Sequence, residues 1–246
     1  PLNGKYEAVG HSPKYTYDPR FCTIFPRMFS SEASHIRVYK EWGEIKGRPV
    51  KIRDQRTGEE KTEYVPKFSE NLRFFFSYQL GFMYFRYFMW NFVGRQNDTQ
   101  SFGEIQNGNW ISGISFIDEM MLGNQKTLPD HMKNVPSRNT YFFLPLLLGL
   151  IGLFFHLNRH IKDFWIVMLL FVLTGIAIVI YLNQNPNQPR ERDYAYAGSF
   201  YAFAIWLGLG VLGVNDLLRK VLKEQSVVRS AAVIILCFIS VPLLMG

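Results

Sequence analysis

The chain has 246 residues, 48% hydrophobic and 16% aromatic, with a net charge of +7 and a mean hydropathy close to zero. That apolar and aromatic content excludes intrinsic disorder, and two lone cysteines, Cys22 and Cys237, exclude a disulfide scaffold. The near-zero mean averages two unlike parts: residues 1–71 hold 13 Lys/Arg and 10 Asp/Glu, whereas residues 141–246 contain long runs without any charge. The chain opens on Pro1 with no signal-peptide pattern and closes on Gly246 inside an apolar run, which reads as an internal piece of a longer protein.

Residues 1–71 form a polar extramembrane segment on this reading. A short helix is expected over Glu32–Trp42, after Ser30 and Ser31. Val50–Asp54 and Lys61–Val65 flank the turn Thr57-Gly-Glu-Glu and read as an exposed hairpin. No Gly-rich phosphate loop, metal-spaced Cys/His set or Ser-His-Asp arrangement is present. His11, His35, His131, His156 and His160 are scattered without ligand spacing, so no metal and no evident cofactor is expected. The basic excess is assigned to helix flanks and anionic lipid rather than to nucleic acid.

Residues 72–94 are an aromatic element, with 11 of 23 positions Phe, Tyr or Trp, interrupted by Arg73 and Arg86. Such density belongs at a membrane–water boundary. On a helical wheel the polar residues do not share one face, so an interfacial or re-entrant helix and a spanning helix both stay open, with a lean to the former. An arginine deep in lipid is costly and points to a role for Arg86. Residues 95–140 follow as an outward-facing loop segment, beginning with the polar cluster Gly94-Arg-Gln-Asn-Asp98, in which Arg95 and Asp98 are candidate polar contacts. Trp110, Asp118 and Glu119 suit either a carbohydrate or an ordinary loop, and the ordinary loop is favoured.

Residues 141–246 are the transmembrane region. The uncharged runs are Tyr141–Leu157, Phe164–Leu182, Ser199–Asn215 and Ala231–Gly246. At ~1.5 Å per residue, 16 to 19 residues span about 24–28 Å, close to the roughly 30 Å hydrocarbon core. A lipid-crossing segment must satisfy its own backbone, so these read as four spanning helices. Gly149, Gly152, Gly175, Gly208, Gly210 and Gly213 suit close helix contacts. Loops 158–163 and 216–230 carry Arg159, Lys162, Arg219, Lys220, Lys223 and Arg229, which places them in the cytoplasm. Alternation then turns loop 183–198 and segment 94–140 outward, and residues 1–71 are expected there too.

The outward loop Asn183-Gln-Asn-Pro-Asn-Gln-Pro-Arg-Glu-Arg-Asp-Tyr-Ala-Tyr-Ala-Gly198 is the most unusual stretch. Pro186 and Pro189 stiffen it, and Arg190 and Arg192 arrive just before a helix expected to start near Asp193. Two guanidiniums beside a helix N-terminus suit phosphate oxygens. Tyr194 and Tyr196 suit a sugar face or a lipid chain. Asp193 suits a helix cap paired with Arg190, or an acid or base. A charged interface anchor with internally paired charges is the competing reading.

The run Tyr181–Trp206 closely resembles a bacterial family of large multi-spanning membrane proteins related to the protein O-mannosyltransferases. Phe74–Leu80, Tyr84–Asp98, Gly108–Gly113 and Phe25–Ser31 resemble it as well, so the likeness covers most of the chain and is weakest around 32–70. The resemblance implies a GT-C type glycosyltransferase, which moves a mannose-like sugar from a polyprenyl-phosphate donor to Ser/Thr hydroxyls of exported acceptor proteins. It implies a multi-pass protein of the bacterial cytoplasmic membrane, with its site facing outward. The general base is expected in a first outward loop upstream of this chain, so the piece alone is expected to be inactive. Arg190 and Arg192 match the family's motif, and their contact with the donor phosphate is inferred from charge and position.

The fold expected is mainly α: polytopic membrane helices, four spanning and one aromatic, with a small irregular α+β polar segment. The candidate substrate-binding residues are Arg190, Arg192, Asp193, Tyr194, Tyr196, Arg86, Arg95 and Asp98. The expected partners are the bilayer, the lipid-linked sugar and acceptor proteins. The rival functions are a transporter or flippase of lipid-linked sugar, which needs charges lining the spans, and a non-catalytic scaffold of an envelope complex.

Overall fold

The computed structural model describes residues 10, 17–53, 57–221 and 226–245, and among them it is mainly helical with two small two-stranded sheets. His11, Asp54 and Lys223 from the sequence reading lie outside the described residues.

In the polar segment, α1 spans Ala33–Gly43 and is followed by β1 (Arg48–Arg53) and β2 (Glu60–Val65). The strands pair antiparallel with Arg48 opposite Val65 and Arg53 opposite Glu60, so the expected hairpin is present, with β1 starting two residues and β2 one residue earlier than expected. Val38 and Tyr39 of α1 are buried. Tyr39 meets Phe74 edge-on at 5.1 Å, and Trp42 meets Tyr78 at 5.4 Å. These contacts fasten α1 to the aromatic element.

That element is one continuous helical run: α2 (Phe68–Phe74), a π-helical stretch (Phe75–Phe85) and α3 (Arg86–Phe92). The backbone N–H of Arg86 bonds to the carbonyl of Gly81, the wide i→i+5 pattern. This winding is the reason an α-helical wheel finds no clean face. Much of the run is packed inside protein: Phe74, Tyr78, Tyr84, Tyr87, Phe88, Trp90 and Phe92 are buried, while Phe68, Phe76 and Phe85 stay exposed. Phe74, Tyr78 and Phe82 stack in succession at 5.1 and 5.6 Å.

After it, β3 (Gly94–Arg95) pairs antiparallel with β4 (Asn139–Thr140), closing a loop that contains α4 (Ser115–Leu122) and α5 (Asp130–Lys133). Asp118 is buried and accepts from Ser112 N, Ser112 Oγ and Gly113 N, so it ties the entry of α4 rather than facing a ligand.

Six further helices follow: α6 (Leu144–Arg159), α7 (Ile161–Thr174), α8 (Ile176–Leu182), α9 (Ala197–Val221), α10 (Ser226–Ser240) and α11 (Pro242–Met245). Three stretches are long and apolar enough to cross a membrane: Ile161–Leu182, Asp193–Arg219 and Val227–Met245, with 22, 27 and 19 residues. The first expected run starts late. Phe142 and Phe143 take left-handed backbone angles (φ 51° and 60°), so α6 begins at Leu144 and keeps 16 residues, about 24 Å. The second run breaks at Gly175. Thr174 bonds back to the Leu170 carbonyl at 2.7 Å, and a side chain at 175 would sit 2.6 Å from both Ser199 Oγ and Tyr84 Oη.

Small residues set the central helix pair. A β-carbon at Gly152 would lie 2.5 Å from Gly210 N and 2.7 Å from Trp206 C, so α6 and α9 touch backbone to backbone. Gly149, Gly210 and Gly213 face the same seam, but Gly208 has nothing within 4 Å, so its expected contact is absent.

Candidate functional site

The buried Arg86 explains how the loops are held. Its side chain is 4% exposed, and that of Glu191 is 14% exposed. Arg86 Nη2 donates to Glu191 Oε2 at 2.7 Å and Nη1 to Oε1 at 3.3 Å. Nη1 also donates to the Gly108 carbonyl at 2.5 Å and Nε to the Phe82 carbonyl at 3.0 Å. The guanidinium lies 4.0 Å over the Phe82 ring and 4.5 Å over Tyr87. The second half of the network belongs to Glu191, which accepts from Ser101 N at 2.9 Å and from the Tyr87 hydroxyl. Tyr87 Oη in turn accepts from Arg192 N at 3.2 Å. Burial pushes the Tyr87 phenol well above its ordinary range, so it stays a donor.

This network joins three parts distant in sequence: the aromatic helix, loop 94–113 and loop 183–192. Gly108 is the closest passage. Its φ is +59°, and a β-carbon there would lie 2.9 Å from Ser101 Cβ and 3.0 Å from Arg86 Nη1. Loop 94–113 is tied internally by amides: Gln96 Nε2 donates to Ile105 O at 3.0 Å, and Asn97 Oδ1 accepts from Gly108 N at 2.8 Å.

The remaining candidates divide. Arg95 lies 5.3 Å over the Trp90 ring and donates to the Ser137 carbonyl at 3.5 Å. Asp98 accepts from Ser137 Oγ at 2.9 Å. Both therefore sit at the β3–β4 end of the loop and fasten it. Tyr196 is 1% exposed and packs against Tyr84 and Tyr87, so it belongs to the core. Tyr194 is exposed and lies 5.6 Å under the Arg190 guanidinium.

Arg190 and Arg192 carry charges that this network does not pair. The acid between them faces Arg86, and no ion pair engages either arginine among the described residues. Arg192 Nε is buried without a hydrogen-bond partner. Asp193 opens a short 3-10 turn, Asp193–Tyr196, that leads into α9, and it does not pair with Arg190. The loop behind them is rich in open amide oxygens: Gln184 Oε1 and Asn185 Oδ1 are buried and unpaired, as is Gln79 Oε1 across the interface. Gln79 Nε2 donates to Asn183 Oδ1 at 2.8 Å.

Sequence reasoning missed Glu191. It was visible only as the middle of an Arg-Glu-Arg run, and its partner stands 105 residues away.

A model described as a family of unknown function (DUF8416) matches residues 2–76. That match covers the polar segment and the first part of the aromatic helix, and it ends before Arg86. No curated protein and no solved structure matches the chain.

Proposed function

We propose that the chain is part of a membrane glycosyltransferase that moves a sugar from a polyprenyl-phosphate donor to Ser/Thr hydroxyls of exported proteins. One observation carries the reading: Arg190 and Arg192 precede α9 without carboxylate partners, because Glu191 turns away to Arg86. Two unpaired guanidiniums beside a helix start favour phosphate oxygens. The resemblance of Tyr181–Trp206 to the O-mannosyltransferase-related family supports the same assignment.

On this proposal α6 is a fourth span, short but sealed against α9 through Gly152 and Gly210. The end carrying Arg159, which pairs with Asp216 at 3.2 Å, faces the cytoplasm of a bacterial inner membrane, and the end carrying Arg190 faces outward. In the transfer, the sugar's anomeric carbon leaves the phosphate oxygen and bonds the acceptor oxygen, while a base takes the hydroxyl proton. Arg190 and Arg192 stabilise the charge that grows on the departing lipid phosphate. The base is assigned to no residue of this chain.

The test is Arg190→Ala and Arg192→Ala in the protein as its host makes it, with envelope glycoproteins read by mass spectrometry. Reduced glycosylation at normal membrane insertion is expected for each. Normal glycosylation in both variants removes the phosphate-binding role. Loss of lipid-linked sugar transport with glycosylation chemistry intact favours a flippase, and loss of neither favours a scaffold.

A further inference from the structure

The polar segment carries an apolar rim that the transferase reading does not use. Ile24 is 100% exposed, Phe29 is 58% exposed, and Phe21, Phe68 and Phe76 are exposed beside them. In water such a cluster is unfavourable. Its position is set by contacts to the end of a membrane-candidate helix. Arg27 donates from both terminal nitrogens to the Ile180 carbonyl, at 3.1 and 3.2 Å, and so caps the last turn of α8. Asn183 Nδ2 donates to the Pro26 carbonyl at 3.2 Å. Phe25 meets Phe75 edge-on at 5.2 Å, and Arg27 N donates to Asn71 Oδ1 at 3.0 Å. Residues 24–29 are therefore pinned where the stretch Ile161–Leu182 ends, next to Tyr181, itself 83% exposed.

We propose that residues 21–29, with Phe68 and Phe76, form an in-plane collar that inserts into the outer boundary of the bilayer. The occupant of this face is lipid, because the rim is fastened to the last turn of α8, where the apolar membrane-candidate stretch Ile161–Leu182 ends. Behind the rim lies a groove of about 590 Å³, between Phe21, Phe29 and Phe68, with Arg48 and Lys67 on its wall. Apolar side chains at the lip and cations behind it match an acyl chain joined to an anionic headgroup. From this groove the strands run five residue steps, about 17 Å, before the turn that holds Gly58, which stays in water.

The test uses the whole chain in vesicles of phosphatidylcholine with phosphatidylglycerol. Cys22 is exposed and Cys237 is buried, so a thiol-directed fluorophore marks the rim of the unaltered protein. The same probe is then placed by Ile24→Cys or Gly58→Cys in a Cys22→Ser background. The expected result is quenching at 22 and 24 by lipids spin-labelled near the headgroup, with a depth within ~5–10 Å of the headgroup–acyl boundary. Aqueous iodide should quench only at 58. Iodide quenching at 22 and 24 equal to that at 58, with none from the lipid label, overturns the proposal. Replacing phosphatidylglycerol by phosphatidylcholine should loosen the probe at 24, and Arg48→Gln with Lys67→Gln should remove that difference. A difference unchanged by the double variant overturns the headgroup assignment.

Discussion

Glu191→Gln is the sharpest perturbation of the loop junction. The carboxylate receives Arg86 through both oxygens, Ser101 N through Oε1 and the Tyr87 hydroxyl through Oε2. Glutamine keeps the shape, but its NH2 group must face donors whichever way it turns: Arg86 and Ser101 on one side, Arg86 and Tyr87 on the other. It also leaves a guanidinium of 4% exposure without a counter-charge. Removing one partner of a buried ion pair costs about 3–5 kcal/mol, so the junction should open roughly a hundredfold or more readily, at 1.4 kcal/mol per factor of ten. The assay is denaturant unfolding of the purified chain in detergent, followed by tryptophan fluorescence, with protease cleavage inside loop 94–113 as the local readout. Arg190→Gln, at an exposed and unpaired position, is the control and should stay within about 0.5 kcal/mol of the parent. Arg86→Met with Glu191→Leu should regain most of the loss, since an apolar pair removes both charges together. A Glu191→Gln variant as stable as the control would refute the reasoning.

Two further predictions concern packing and pH. Gly152→Ala puts a carbon 2.7 Å from Trp206 C, where about 3.5–4.0 Å is comfortable between carbons, and 2.5 Å from Gly210 N, so α6 and α9 must part and thermal stability in detergent should fall by at least ~1–3 kcal/mol. Gly208→Ala meets nothing within 4 Å and should be neutral or raise stability by up to about 1 kcal/mol, and equal losses for both variants would deny the seam. Glu70 is buried, which raises its pKa, but N–H groups of Lys67, Lys46 and Gly47 outweigh burial and hold it below the ordinary 4.5. Its contribution is therefore complete above that value and fades as pH falls through the lowered one. Glu70→Gln should lower stability at neutral pH and flatten the acid limb of a melting-temperature profile, and an unchanged limb would remove Glu70 from the acid response.

The membrane candidates were legible in the sequence because an uncharged run needs no partner to be recognised. So was the hairpin, whose turn residues act within a few positions. Edges were less legible. The first run lost its start to the left-handed turn at Phe142 and Phe143, and the second is interrupted at Gly175, where Tyr84 and Ser199 from elsewhere in the chain pack close.

The sequence by itself determined an apolar C-terminal half, a charged N-terminal third and an arginine-rich loop before a helix. Only the tertiary structure decided what those charges do. Arg86 looked like an intruder among aromatics until Glu191 came within 2.7 Å, and that pairing left Arg190 and Arg192 free. It also decided that most of the aromatic helix is buried: a π-helical winding spreads Phe, Tyr and Trp around the cylinder, α1 and α8 pack on it, and Phe200 and Phe203 of α9 meet Phe88. Periodicity records the face a helix offers along one winding. It does not record which distant segment arrives to satisfy a buried charge, since that depends on contacts made across a hundred residues.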